Sequence, residues 1–302
     1  MRRWWQNLRE TTVDHAAWEM LVMRSLCAWL MWRMLPEAVP YTTQPLPNGL
    51  GHLVDLTFLG HPATFALLRH LAPVALGLYA LGIAPLLSLG YMAALLTGVG
   101  ALENSQGAIG HHLQILCLVA LAQWVAYAVT IRRGGPRLSG WGLLPLTAAH
   151  RSATQAAKLL LAAGYVTSGW TKLIASGGQW IVQLPNIALQ LVKSQANVYY
   201  DTLALQPAWV TALPRLIADH PNLTRLAFTP GLLLELGAFL ALTGRRASFW
   251  IGLGLLAMHV LARELMDLGF IAHEWLIIIF FINVPWLVCR ALKRLRGAEK
   301  TV

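Results

Sequence analysis

Charge is what this chain has least of. Only 12% of its 302 residues are Asp, Glu, Lys or Arg, and just 13 are acidic. With 57% hydrophobic residues and a mean hydropathy of +0.55, no stretch reads as a soluble domain. Cysteine is equally scarce. Cys27, Cys117 and Cys289 are too scattered for a Cys-x-x-Cys dithiol relay. They read as small apolar packing residues. Neither a His-x-x-His-His box nor a His-Glu-x-x-His motif occurs. Metal ligands would have to converge from separate helices, and no metal is expected. The chain also lacks an internal repeat or a matching pair of broken helices, which argues against transport by inverted halves. No small-residue cleavage site follows an apolar core after Arg2 and Arg3, so the first apolar segment is expected to be retained.

What is present is a succession of apolar runs. A spanning helix needs roughly 20 mostly apolar residues. About eight stretches approach that length, near 18–35, 62–83, 85–102, 108–131, 151–172, 229–243, 247–266 and 270–290. Backbone groups in lipid must bond within their own segment. The expected fold is therefore all-α, a polytopic transmembrane bundle of about eight spans forming one integral membrane domain over 1–302.

The basic residues orient it. Arg2, Arg3 and Arg9 precede the first run, Arg132, Arg133 and Arg137 follow the fourth, and Arg245 and Arg246 follow the sixth. Arg290, Lys293, Arg294 and Arg296 follow the eighth. An even number of spans with the N-terminus inside places every group on the cytoplasmic side. The expected location is the cell inner membrane, with 1–17 a cytoplasmic segment and 291–302 a basic cytoplasmic tail. Trp4, Trp5 and Leu8 share one face, as in a surface helix. The net charge of +10 is spread over separate loops, so membrane lipids rather than nucleic acid are the expected partners.

Two segments interrupt the runs, both expected outside the cytoplasm. Residues 36–61 hold Pro36, Pro40, Pro45, Pro47, Gly49, Gly51 and Gly60, punctuation that favours a folded-back loop. Residues 174–229 are rich in amides and aromatics, such as Gln183, Asn197, Tyr199 and Trp209, and suit short interfacial helices broken at prolines.

The few charges that remain fall inside or at the ends of apolar runs. A charge at the bilayer centre costs at least ~3 kcal/mol on insertion scales, so such residues face a cavity or each other. Arg69 and His70 lie in the second run, Glu103 ends the third, and His111 and His112 begin the fourth. Glu235 lies in the sixth; His259, with Arg263 one turn beyond it, lies in the seventh. These residues predict an outward-facing polar cavity. A structural ion pair between Glu235 and Arg263 is the main alternative. Lys172 ends the fifth run beside Trp170, where a desolvated amine can serve as a base. An interfacial anchoring lysine is the bland alternative.

Residues 163–180, AGYVTSGWTKLIASGGQW, carry a resemblance. Gly169-Trp170-Thr171-Lys172-Leu173, with Trp180 after it, resembles the Ala-Gly-Leu-Lys-Lys-Leu…Trp segment of vitamin K-dependent γ-carboxylases and the related bacterial HTTM proteins. It resembles the DoxX and MauE groups more distantly. Asn104-Ser105 and Gly110-His111-His112 resemble the polar helix-turn-helix of the same superfamily, and Glu235, His259, Met266 and Gly269-Phe270 fit its closing spans. The resemblance implies that Lys172 is a base deprotonating a reduced quinone, with His111, His112 and Glu103 as polar partners. Glu235, His259, Arg263, Arg69 and His70 would then shape the substrate site. Thr171 replaces the second lysine and Ile174 the acidic residue, and no large C-terminal domain is expected, so peptide γ-carboxylation is not implied. Two functions follow: an enzyme acting on a quinone or lipid-like substrate, or, as in MauE-like proteins, a membrane subunit that anchors or matures a periplasmic redox partner.

Overall fold

The computed structural model describes residues 15–39, 48–106, 111–133, 147–205 and 207–290, the side chains of His111 and His112 excepted. Among them the chain is helical, with no strand. The helices are α1 (Ala17–Met34), α2 (Pro62–Leu81), α3 (Pro85–Asn104), α4 (His111–Arg133), α5 (Thr147–Ala175), α6 (Ile187–Thr202), α7 (Ala208–Asp219), α8 (Pro221–Leu236), α9 (Arg245–Met266), α10 (Ile271–Ile277) and α11 (Val284–Arg290). The surface helix expected around Trp4 and the basic tail after Arg290 lie outside the described residues.

Four helices are long and apolar enough to cross a membrane: α2, α3, the Leu113–Arg133 part of α4, and α9. Residues Ile271–Ile282 with α11, bent by 41°, make a fifth if the pair is one broken span. Composition and length set the others apart. α1 carries Glu19, Arg24 and Arg33, and α5 carries Arg151, Lys158 and Lys172. α8 has only 16 residues. It also begins earlier than expected: the helix starts at Pro221 rather than near 229. It stops at Gly237, beyond which Ala238–Leu242 form a 3-10 turn. On α2, Leu67, Val74 and Leu81 are each more than 60% exposed, an apolar face suited to lipid rather than water.

The chain divides into two compact units, Met1–Leu161 with Ile271–Val302, and Ala162–Phe270. In the first, α2 starts with Pro62 and ends at Gly82, whose left-handed φ of 78° lets the N–H groups of Gly82 and Ile83 return to the carbonyls of Tyr79 and Leu78. The loop before α2 makes two short 3-10 turns, and the Asn48 N–H ties it to the Ser105 carbonyl at 3.2 Å. Asp55 accepts from Thr57, whose hydroxyl and N–H hold the carboxyl below its ordinary range. Buried polar groups are bonded across helices. The Tyr79 hydroxyl donates to Gln123 Oε1 at 2.7 Å, and Gln123 Nε2 faces the Cys27 sulfur at 3.8 Å. Cys27 and Cys117 are buried and Cys289 is half-buried.

The last run is not one straight helix. After α10, Ile278–Ile282 form a π turn, and Asn283 takes a left-handed φ of 52° before α11 begins. Asn283 is 6% exposed and mends the break on both sides. Its Oδ1 accepts the Trp286 N–H at 3.2 Å, capping α11. Its Nδ2 lies 3.4 Å from His15 Nδ1 and 3.5 Å from Glu19 Oε2, which are themselves paired at 3.1 Å.

In the second unit, α6 and α7 pack on one another over a small core of Ala188, Leu191 and Ile217, closed by Phe228 and Leu265. The Ser194 hydroxyl donates to the Met266 carbonyl at the end of α9, and Gln195 Nε2 to the Val210 carbonyl at 2.7 Å.

Replacing Asn283 by Ala removes the cap and the side-chain amide beside His15 and Glu19. We expect a loss of about 1 kcal/mol or more, read as a lower thermal unfolding midpoint in detergent. Val284→Ala, at a partly exposed apolar neighbour, should shift the midpoint far less.

Candidate functional site

Lys172 lies in the last turn of α5, and Glu235 is the penultimate residue of α8, 63 positions on. Lys172 Nζ donates to both carboxylate oxygens of Glu235 at 2.5 Å. The Ser168 hydroxyl, one turn earlier on the same face of α5, points at Oε1 from 3.4 Å. Glu235 is 4% exposed as a residue, whereas the Lys172 side chain is 35% exposed. The carboxylate is thus the buried partner and the ammonium the open one. Backbone approach makes the pairing achievable. A Cβ at Gly169 would lie 2.9 Å from Leu236 Cδ2 and 3.4 Å from its backbone N, so the bare Cα eases the close passage of α8 beside Glu235.

Beyond Lys172 the chain turns back at once. Gly177 and Gly178 both have positive φ (59° and 81°), and the Gly178 N–H caps the Leu173 carbonyl at 2.7 Å. The reversal brings the Trp180 ring under Lys172, with Nζ 5.6 Å from its centroid.

A second polar station sits on the same face of α5. Tyr165, seven residues before Lys172, has its hydroxyl 2.6 Å from His259 Nε2. His259 is 6% exposed and its ring also lies 5.1 Å from that of Phe270. Two stations seven residues apart stand about 10 Å apart along a helix. Together they give the unit a buried acid, a half-open amine, a hydroxyl and an imidazole–phenol pair.

The alternative of a structural Glu235–Arg263 pair is not what the structure shows: Glu235 pairs with Lys172. Arg263 instead lies 3.2 Å from the carboxylate of its neighbour Glu264. An adjacent carboxylate needs no helix crossing to reach it.

The remaining candidates belong to the other unit. Arg69 Nε donates to the Pro36 carbonyl at 3.0 Å and its guanidinium lies 4.6 Å from the Trp32 ring centre, so it fastens the loop after α1. His70 is exposed, with Nδ1 2.6 Å from the Ala66 carbonyl of its own helix. Glu103 ends α3 half-buried, and His111 and His112 open α4. The same unit holds an apolar trough of about 570 Å³ along α3 and α4, lined by Gly90, Ala94, Thr97 and Trp124 among others, which includes none of the candidate residues. Among the described residues no group of three His, Cys, Asp or Glu side chains is placed to hold a metal ion.

The sequence candidates included neither Tyr165 nor Ser168. Both were marked by spacing: 165, 168 and 172 follow the i, i+3, i+7 repeat of one helix face.

No protein-family model, curated protein or solved structure matches the chain. The functional reading therefore rests on this geometry and on the residues themselves.

Removing one member of a buried pair strands the other. Lys172→Met should cost about 3 kcal/mol, near the lower end of that effect because solvent reaches Nζ. The double variant Lys172→Met/Glu235→Gln should recover part of the loss. Unfolding midpoints of the four proteins of the cycle provide the check.

Proposed function

We propose that this chain is an eight-span inner-membrane protein with both termini cytoplasmic, and that Lys172 and Glu235 carry out proton transfer on a quinone or lipid-like substrate. Eight spans are reached by adding α1, α5, and α8 with its 3-10 extension. Three of the six charges on α1 and α5 are engaged inside the protein. Glu19 pairs with His15, Arg24 donates to the Ala80 carbonyl, and Lys172 binds Glu235. Charges satisfied in this way lower the cost of placing their helices in lipid.

The observation that carries the functional reading is the bidentate Lys172–Glu235 pair, with a buried acid and a half-open amine. A lysine acts as a base only after shedding a proton. Glu235 stands one hydrogen bond away and can take that proton, leaving a neutral amine beside a carboxylic acid. The free amine then accepts the hydroxyl proton of a bound hydroquinone or similar acid, and the substrate leaves as its anion next to an ammonium. Ser168 holds Oε1 in place during the exchange, and the Trp180 face beside Nζ suits a flat ring or a cation. The resemblance of 163–180 to the carboxylase-like HTTM segment supports the same role for Lys172 and the same substrate class.

A second reading has its own support. On α6, Leu189, Val192 and Tyr199 are exposed and share one face to the side of the buried Leu191. Such a stripe suits a membrane subunit that anchors or matures a periplasmic redox protein.

Purification in mild detergent followed by organic extraction and mass spectrometry decides between them. The enzyme reading expects a stoichiometric quinone or lipid that is lost on Lys172→Ala while the protein stays in the membrane. A preparation without such a ligand, but with a periplasmic protein bound in a 1:1 ratio and released by Leu189→Glu/Tyr199→Glu, would replace it with the subunit reading.

A further inference from the structure

We infer that Arg24, Tyr127 and His150, gathered around Gly82, form a binding site for a phosphate-type oxyanion. The site lies wholly within the unit that holds α1 to α4 and is independent of the Lys172–Glu235 reading.

Arg24 is 7% exposed, an unusual burial for a guanidinium. Its Nε donates to the Ala80 carbonyl at 3.1 Å, near the C-terminus of α2, which accounts for one of its donors. Its Nη1 is buried with no hydrogen-bond partner. Among the described residues no carboxylate pairs with it. A buried cation without a counter-charge is costly, and the cost is recovered when an anion accepts from the unused Nη1 N–H groups.

The neighbours supply a second donor close by. The Tyr127 hydroxyl lies 2.8 Å from His150 Nδ1, with the rings edge to face at 5.6 Å. When that hydroxyl donates to Nδ1, the ring proton resides on Nε2. Nε2 lies against Gly82: a Cβ there would be 2.7 Å from it and 3.3 Å from Arg24 Nη2. Gly82 has to lack a side chain, both for its φ of 78° and for this approach. The imidazole and the guanidinium therefore flank one bare Cα at the turn between α2 and α3.

A planar fork of N–H groups beside an imidazole N–H matches the oxygens of a tetrahedral anion. Further positive charge lies nearby. From Tyr127, α4 runs about 8 Å further to the exposed pair Arg132 and Arg133. The site also sits at helix ends, since Gly82 closes α2 and His150 belongs to the first turn of α5. Two sources fit that chemistry and position: the headgroup phosphate of an anionic lipid, and free inorganic phosphate.

The full chain, purified and delipidated in neutral detergent at fixed ionic strength, should be titrated with phosphatidylglycerol, phosphatidylcholine or inorganic phosphate while its unfolding midpoint is followed. Phosphatidylglycerol is expected to raise the midpoint of the natural protein. Arg24→Gln and His150→Ala should each weaken that response about ten-fold or more in half-saturating concentration. A lipid site predicts no response to inorganic phosphate; an equal response to both identifies the free ion as the ligand. If Arg24→Gln does not fold, His150→Ala is decisive, because it leaves the Arg24 bond to Ala80 in place. The proposal is overturned if neither anion shifts the natural protein more than phosphatidylcholine does, or if the folded variants respond as the natural protein does.

Discussion

Helices long and apolar enough to cross a membrane gain little among lipid tails by hiding their leucines; what they must hide is charge. That constraint organises this protein. Each deeply placed ionisable group for which a contact is described is held by another helix, a loop or a near neighbour. Glu235 is held by Lys172, Glu19 by His15 and Asn283, and Arg24 by the end of α2. Such bonds stabilise more by avoiding a stranded charge than by their own strength. They also fix which helices lie side by side, because non-directional apolar contacts would permit many registers.

The helices were legible because their signal is local. Proline at the start of α2 and α3, glycine at the end of α2, and long apolar runs mark those segments within a few residues. The breaks were less legible. Residues 270–290 read as one apolar run, and nothing short of the partners of Asn283 shows that the helix opens there. Likewise α8 extends back to Pro221 through residues that read as loop, because Pro230 inside it looks like a boundary.

The candidate site was legible in membership and not in pairing. Lys172, Glu235 and His259 stand out as polar residues in apolar runs. Their partners depend on which residues helix packing brings opposite, and that is set by small residues such as Gly169 that carry no chemistry. Arg263 and Glu235 looked like natural partners by charge, yet Glu264 was nearer. Arg24 is one of several charges in the first apolar run. The bare Cα of Gly82 and the imidazole beside it, which give that arginine its setting, come from segments far apart in the chain.

The two left-handed glycines after α5 have an evolutionary consequence. Most of the amide-rich segment beyond them can drift, since its exposed positions answer only to solubility and surface contact. Gly177 and Gly178 cannot, because any side chain there resists the reversal that folds Trp180 beneath Lys172. A lineage that lost either glycine would keep its lysine and its acid but present them without the aromatic floor. Divergence in what this protein handles could therefore begin at a residue that has no side chain at all.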